Sequence, residues 1–140
     1  MLLTCPADEI FFGGARGGGK TDGCIGDFVA HSGRNGKHAR GVLFRRTYPE
    51  LDEVLQAAKR IMLPLGAVYK VAQRTFEMPN GSSLRLRHLS KEGDAEKYQG
   101  HQYTWMAFDE LTNWATSDSI NKLRACLRSP VGIKTRLIST

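Results

Sequence analysis

The sequence predicts an α/β domain with a mainly parallel central sheet flanked by helices. Three observations carry that expectation. Short apolar runs of strand character alternate with segments of helical periodicity, the order that a parallel sheet with crossover helices requires. A glycine-rich stretch, IFFGGARGGGKT at 10–21, joins the first apolar run to the first helical segment. Far downstream, the apolar run YTWMAF at 103–108 ends directly in Asp109-Glu110.

Glu9 to Phe12 is a short β-rich run that stops at glycines, and Thr21 to His31 follows without a proline. Cys24 and Phe28, like Ile25 and Val29, are four apart, which gives that helix an apolar face. SGRNGKHARG is turn-rich and basic. GVLF at 41–44 is apolar without alternation, as a strand buried on both faces would be. Pro49 opens a helix from Glu50 to about Met62, with Leu51, Val54, Leu55, Ala58 and Ile61 at helical spacing. Gly66 starts an extended stretch, AVYKVA. In RTFEMPNGSSLRLRHL, Asn80-Gly81 between two alternating runs predicts an inserted β-hairpin. Leu84, Leu86 and His88 then share one face, with Arg85 and Arg87 on the other. A polar loop, SKEGDAEKYQGHQ, leads into the strand YTWMAF. Ser117 to Leu127 reads as a helix and Ile133 to Ser139 as a last strand.

A chain of 140 residues suits one domain with one core, and 41% hydrophobic with 24% charged residues is ordinary for a globular protein. No apolar run approaches the roughly 18 residues of a membrane helix. MLLTCPADEI has no basic leader, so neither a membrane partner nor a signal peptide is expected. Cys5, Cys24 and Cys126 are odd in number and form no CxxC, which favours reduced, inert thiols in a cytosolic setting over a zinc site or disulfide frame. Twenty basic against fourteen acidic side chains leave a net charge of +6. That excess fits a polyanionic partner without identifying one. The basic residues are dispersed (34–40, Arg45, Arg46, Arg85, Arg87, Lys122, Arg124, Arg128, Lys134 and Arg136), and most read as solvated surface.

Glycine adds nothing to a core and costs backbone entropy, so concentrating it needs a reason. Gly14-Ala15-Arg16-Gly17-Gly18-Gly19-Lys20-Thr21 fits G-x-x-x-x-G-K-[ST] at every fixed position, with a strand before it and a helix after. Backbone N–H groups can crowd a phosphate chain only where no Cβ intervenes, and the helix N-terminus adds partial positive charge. Lys20 would reach the β- and γ-phosphates, and Thr21 would hold Mg²⁺ through its hydroxyl. A buried parallel strand presents Asp109-Glu110 at its carboxyl end, where open α/β sheets bind ligands. Asp109 suits the Mg²⁺ shell, and Glu110 suits orienting or deprotonating the attacking water. Read by themselves, the two acids have a competing role as a cap of the next helix, since acids favour helix N-termini. A glutamate after the metal aspartate suits hydrolysis rather than phosphoryl transfer to a bound acceptor. The expected protein is therefore an ATPase that uses ATP and Mg²⁺.

GGARGGGKT, with its internal arginine, resembles the phosphate loop of phage terminase large subunits, the motors that pump DNA into capsids. VLFRRTYPEL at 42–51, KYQGHQYTWMAFDEL at 97–111 and LRSPVGIKTRLIST at 127–140 extend the resemblance in order along the chain. It implies a phosphate-loop NTPase fold and a phage or prophage protein in the bacterial host cytoplasm. It also implies double-stranded DNA bound without sequence preference, a portal protein, a small terminase subunit and a homo-oligomeric ring as partners. Lys20, Thr21, Asp109 and Glu110 keep their roles. Arg16 matches an arginine proposed to sense or stabilise the γ-phosphate, and a grip on the α- or β-phosphate is the competing reading. Ser139-Thr140 resembles the start of the coupling motif. Arg45 and Arg46 follow the second strand, either contacting DNA or a neighbouring subunit, or lying in solvent.

The resemblance also sets expectations by departure. An adenine-contacting segment usually precedes the phosphate loop by more than the chain provides, and an RNase H-like nuclease domain normally follows. Residues 1–140 are thus expected to be an ATPase-core fragment without nuclease activity, weakly active by itself. Two alternatives stand beside it: a RecA- or helicase-like DNA-dependent ATPase, and a nucleotide-binding module inactive because truncated. The RRTYPEL and YQGHQY stretches favour terminase over the first.

Overall fold

A computed structural model describes residues 9–11, 19–89, 98, 101–108, 123–128 and 135–139. In chain order the elements are β1 (Glu9–Phe11), α1 (Gly19–Asn35), β2 (Arg40–Arg45), α2 (Tyr48–Met62), β3 (Val68–Lys70), β4 (Thr75–Glu77), β5 (Ser83–His88), β6 (Trp105–Phe108) and β7 (Arg136–Ser139). All these strands join one sheet in the order β1-β7-β6-β2-β5-β4-β3. The first five in that order pair in parallel, and β5-β4-β3 continue antiparallel. The expected mainly parallel sheet with an inserted hairpin is present.

Strand periodicity sorts the core into two layers. On one face α1 and α2 bury Cys24, Ile25, Phe28, Leu51, Val54, Ala58 and Met62 against Leu43, Leu84, Leu86, Trp105, Ala107 and Ile138. On the other, Val42, Phe44, Met106, Phe108 and Leu137 pack with Tyr98, Tyr103, Leu123 and Cys126. β2 and β6 are buried on both faces, which is why GVLF and WMAF show no alternation. β5 does alternate: Leu84 and Leu86 are buried, while Arg85 and Arg87 are half-buried on the opposite face.

Two helices begin earlier than their spacing suggested. α1 starts at Gly19, inside the glycine loop, and runs on to Asn35. α2 starts at Tyr48, so Pro49 sits within its first turn, where its missing N–H costs nothing. The hairpin differs in detail from a two-residue Asn-Gly turn. Gly81 donates to Met78 O (3.0 Å) and Met78 to Ser82 O (2.9 Å), a three-residue loop closed by Gly81 at φ 89°. Asn80 is used for its side chain instead. Its Nδ2 donates to Ser32 O (3.1 Å) at the end of α1, and its Oδ1 accepts the Ser82 N–H (3.0 Å).

Of the expected helix over Ser117 to Leu127, residues 117–122 lie outside the described residues; Leu123 and Arg124 are helical, and a turn follows at Ala125-Cys126. Cys24 and Cys126 are buried. Burial pushes the Cys126 thiol up, in keeping with an inert role. Among the described residues no helix is long and apolar enough to cross a membrane.

Candidate functional site

The parallel register brings the carboxyl ends of the strands level: Phe11 pairs with Ser139, Ser139 with Phe108, and Phe108 with Phe44. At this edge the chain leaves β1 for the glycine loop and leaves β6 for Asp109-Glu110. Only β7 separates β1 from β6, so the two exits are two strand spacings apart, about 10 Å. That distance is of the order a nucleotide's phosphates and one metal ion fill.

α1 begins at the same edge. Lys20 and Thr21 occupy its first turn and are half-buried. First-turn N–H groups have no partner within a helix and carry the positive end of its dipole, so this end suits an anion. Asp22, beside them, receives Arg60 Nη2 of α2 at 2.7 Å, an exposed ion pair joining the start of α1 to the last turn of α2. The set fits a Mg-nucleotide: a lysine, a hydroxyl and first-turn N–H groups at the carboxyl edge of a parallel sheet. Gly14, Ala15, Arg16, Gly17, Gly18, Asp109 and Glu110 lie outside the described residues, and Gly19 is the first residue of α1.

Two basic residues depart from the surface role expected of them. Arg45, at the end of central strand β2, is only 3% exposed, so it is enclosed rather than offered to solvent or to a duplex. Arg136, at the start of β7, is also buried, and its Nε donates to Asp27 Oδ2 of α1 at 2.7 Å. Trp105 Nε1 of β6 donates to the same oxygen at 2.9 Å. Sequence reasoning passed over this cluster. A signal for it existed: Asp27 and His31 sit at core spacing from Cys24 and Phe28 on the apolar face of α1.

His31 is buried too. Asn35 Nδ2 lies 3.3 Å from its Nδ1, and its Nε2 lies 2.9 Å from Thr104 Oγ1. Asn35 can only donate there, so Nε2 carries the proton and donates to Thr104. Burial, helped by the Arg34 charge, lowers the His31 pKa to about 4, which keeps the ring neutral.

The fold is that of an α/β domain of the phosphate-loop NTPase type. The family model for the large terminase subunit, T4likevirus-type, N-terminal, matches residues 11–139. The chain belongs to that family of phage terminase large subunits. Among curated proteins none matches. Solved structures similar to it include the large terminase of a thermophilic bacteriophage, at 17% identity and TM-score 0.72, covering 99% of this chain and 36% of that one. The HK97 bacteriophage large terminase matches at 14% identity and TM-score 0.72 over 98% and 29% of the two chains. The Thermus phage P74-26 large terminase ATPase domain matches at 14% and 0.65 over 98% and 61%. At these identities the structures establish the fold. The chain spans about a third of the length of the first two. Family membership favours the terminase expectation over the RecA- or helicase-like alternative.

Proposed function

We propose that residues 1–140 form the ATPase core of a phage or prophage terminase large subunit, coupling ATP hydrolysis to translocation of double-stranded DNA into a procapsid. The observation that carries this reading is the first turn of α1, with Lys20 and Thr21, standing at the edge where β6 runs out toward Asp109-Glu110. In support, a second structure of the thermophilic-phage large terminase, 16% identical with TM-score 0.70, is a complex with ADP.

In this reading the glycine loop, Gly14 to Gly19, wraps the phosphates with its N–H groups. Lys20 neutralises charge on the β- and γ-phosphates, and Thr21 and Asp109 hold Mg²⁺. The bound Mg²⁺ supplies charge stabilisation at the transferring phosphoryl group. Glu110 accepts the proton of the attacking water, and Arg16 stabilises charge on the γ-phosphate. Duplex DNA, a portal protein, a small terminase subunit and further copies of the subunit in a ring are the partners, and the bacterial host cytoplasm is the setting.

Mg-ATP at 100 times its Kd should stabilise the chain by roughly 2.7 kcal/mol. Lys20→Ala should abolish that gain. Equal thermal shifts for wild type and Lys20→Ala would overturn the phosphate-loop assignment. Nucleotide binding without any steady-state hydrolysis would favour the inactive binding module.

A further inference from the structure

The buried cluster of Asp27, Trp105 and Arg136 joins three elements that the ATP site needs: the helix that starts with Lys20-Thr21, the strand leading to Asp109, and strand β7 between β1 and β6. Asp27 is 1% exposed. Its Oδ2 accepts both the Arg136 Nε–H (2.7 Å) and the Trp105 indole N–H (2.9 Å), while Oδ1 has no hydrogen-bond partner among the described residues. Such a pair is a poor way to gain stability. Desolvating two charges largely offsets their attraction, and an unsatisfied carboxylate oxygen adds a further cost. What the pair supplies, and apolar side chains of similar volume do not, is a directional link with one register.

That register matches the site. From Thr21 to Asp27 is six residues of helix, about 9 Å. From Trp105 to Phe108, and from Arg136 to Ser139, is three residues of strand, about 10 Å. α1 runs back along the sheet from its carboxyl edge, so fixing Asp27 over Trp105 and Arg136 brings the first turn of α1 level with the ends of β6 and β7. We infer that Asp27 is a positioning residue: through Arg136 and Trp105 it sets the height of Lys20 and Thr21 against the ends of β6 and β7, at Phe108 and Ser139. This inference rests on the ATP-site reading above. Apolar packing by itself would let the helix slide or roll slightly, and misplacing a reacting group by 1 Å can cost about a hundredfold in rate.

The test separates positioning from stability. The double variant Asp27→Leu/Arg136→Met replaces the ion pair with apolar groups but leaves the buried Trp105 indole N–H without its acceptor, so it should still fold, with a melting temperature only modestly below that of wild type. Its Mg-ATP affinity, measured by calorimetry, should nevertheless fall by about tenfold or more, as expected for a loosened binding geometry. Unchanged affinity in this folded variant would overturn the inference. A second measurement needs no substitution in the cluster. Coupling is reciprocal, so Mg-ADP should shift the Trp105 indole N–H resonance in the wild-type chain and leave it unmoved in Lys20→Ala. Should the double variant fail to fold, that resonance decides, and an unmoved signal in wild type overturns the inference. Failure of wild type to bind Mg-ATP at all is a different outcome. It would remove the ATP-site reading and this inference with it.

Discussion

Gly41 lies in the middle of the sheet under the helix that begins the nucleotide site, and adding one methyl group there tests how tightly that helix is seated. A Cβ on Gly41 would stand 2.6 Å from Phe28 Cε1, 2.7 Å from Phe28 Cδ1 and 3.2 Å from Leu84 Cδ1. Carbon atoms rest at about 3.5–4.0 Å, so the ring must retreat by nearly 1 Å. It has little room. Phe28 is fully buried, and its ring meets Trp105 edge-on at 5.3 Å between centroids. The strain passes to α1 or β2, and overpacking of this kind costs about 2–3 kcal/mol. For a domain of this size that lowers Tm by about 10 °C. The assay is urea denaturation of Gly41→Ala, Phe28→Leu and the double variant. Shortening Phe28 should relieve the clash, so the double variant should be more stable than the two separate losses predict, by about 1 kcal/mol or more. Additive losses, or a Gly41→Ala cost below about 0.5 kcal/mol, would refute the reasoning.

Three further outcomes are expected. Glu110→Gln should keep nucleotide binding and lose hydrolysis, whereas Asp109→Asn should weaken the Mg²⁺ dependence of binding; both are read by calorimetry and a phosphate-release assay, and wild-type hydrolysis by Glu110→Gln would displace it as the base. His31 is held at about 4 against 6.5 for an ordinary histidine, so the unfolded chain takes the proton first as pH falls. The contribution of His31 is therefore whole above about pH 6.5 and lost on the way down to about 4, on the order of 2–3 kcal/mol; an identical pH dependence of stability in His31→Gln would contradict this. Duplex DNA should bind weakly, without sequence preference and only at low salt, because a subunit with two or three phosphate contacts has a log–log salt slope of about −2 to −3. Sequence-specific binding that persists at high salt, seen by fluorescence anisotropy, would contradict it.

The sequence by itself determined much of the architecture, because the signals involved are local. Unalternating apolar runs of this length fit strands covered on both faces, and β2 and β6 are such strands. Helical spacing on α1 and α2 placed Cys24, Ile25, Phe28, Leu51, Val54 and Ala58 in the core. The phosphate-loop pattern and the acids after an apolar strand are likewise local, and they pointed to the nucleotide chemistry before any fold was known. Strand order was not legible in this way. β7, late in the chain, inserts between β1 and β6, and pairing between strands far apart in sequence leaves no periodic trace. The same limit hid the burial of Arg136 and Arg45: an arginine reads as surface until a distant carboxylate or a covering element takes it out of water. Asn80-Gly81 announced a turn, but its geometry and the grip of Asn80 on Ser32 follow from the packing of the hairpin against the end of α1. Local chemistry chose the elements; contacts across long stretches of chain decided their order, their register and which charges lie buried, because those energies exist only once distant segments meet.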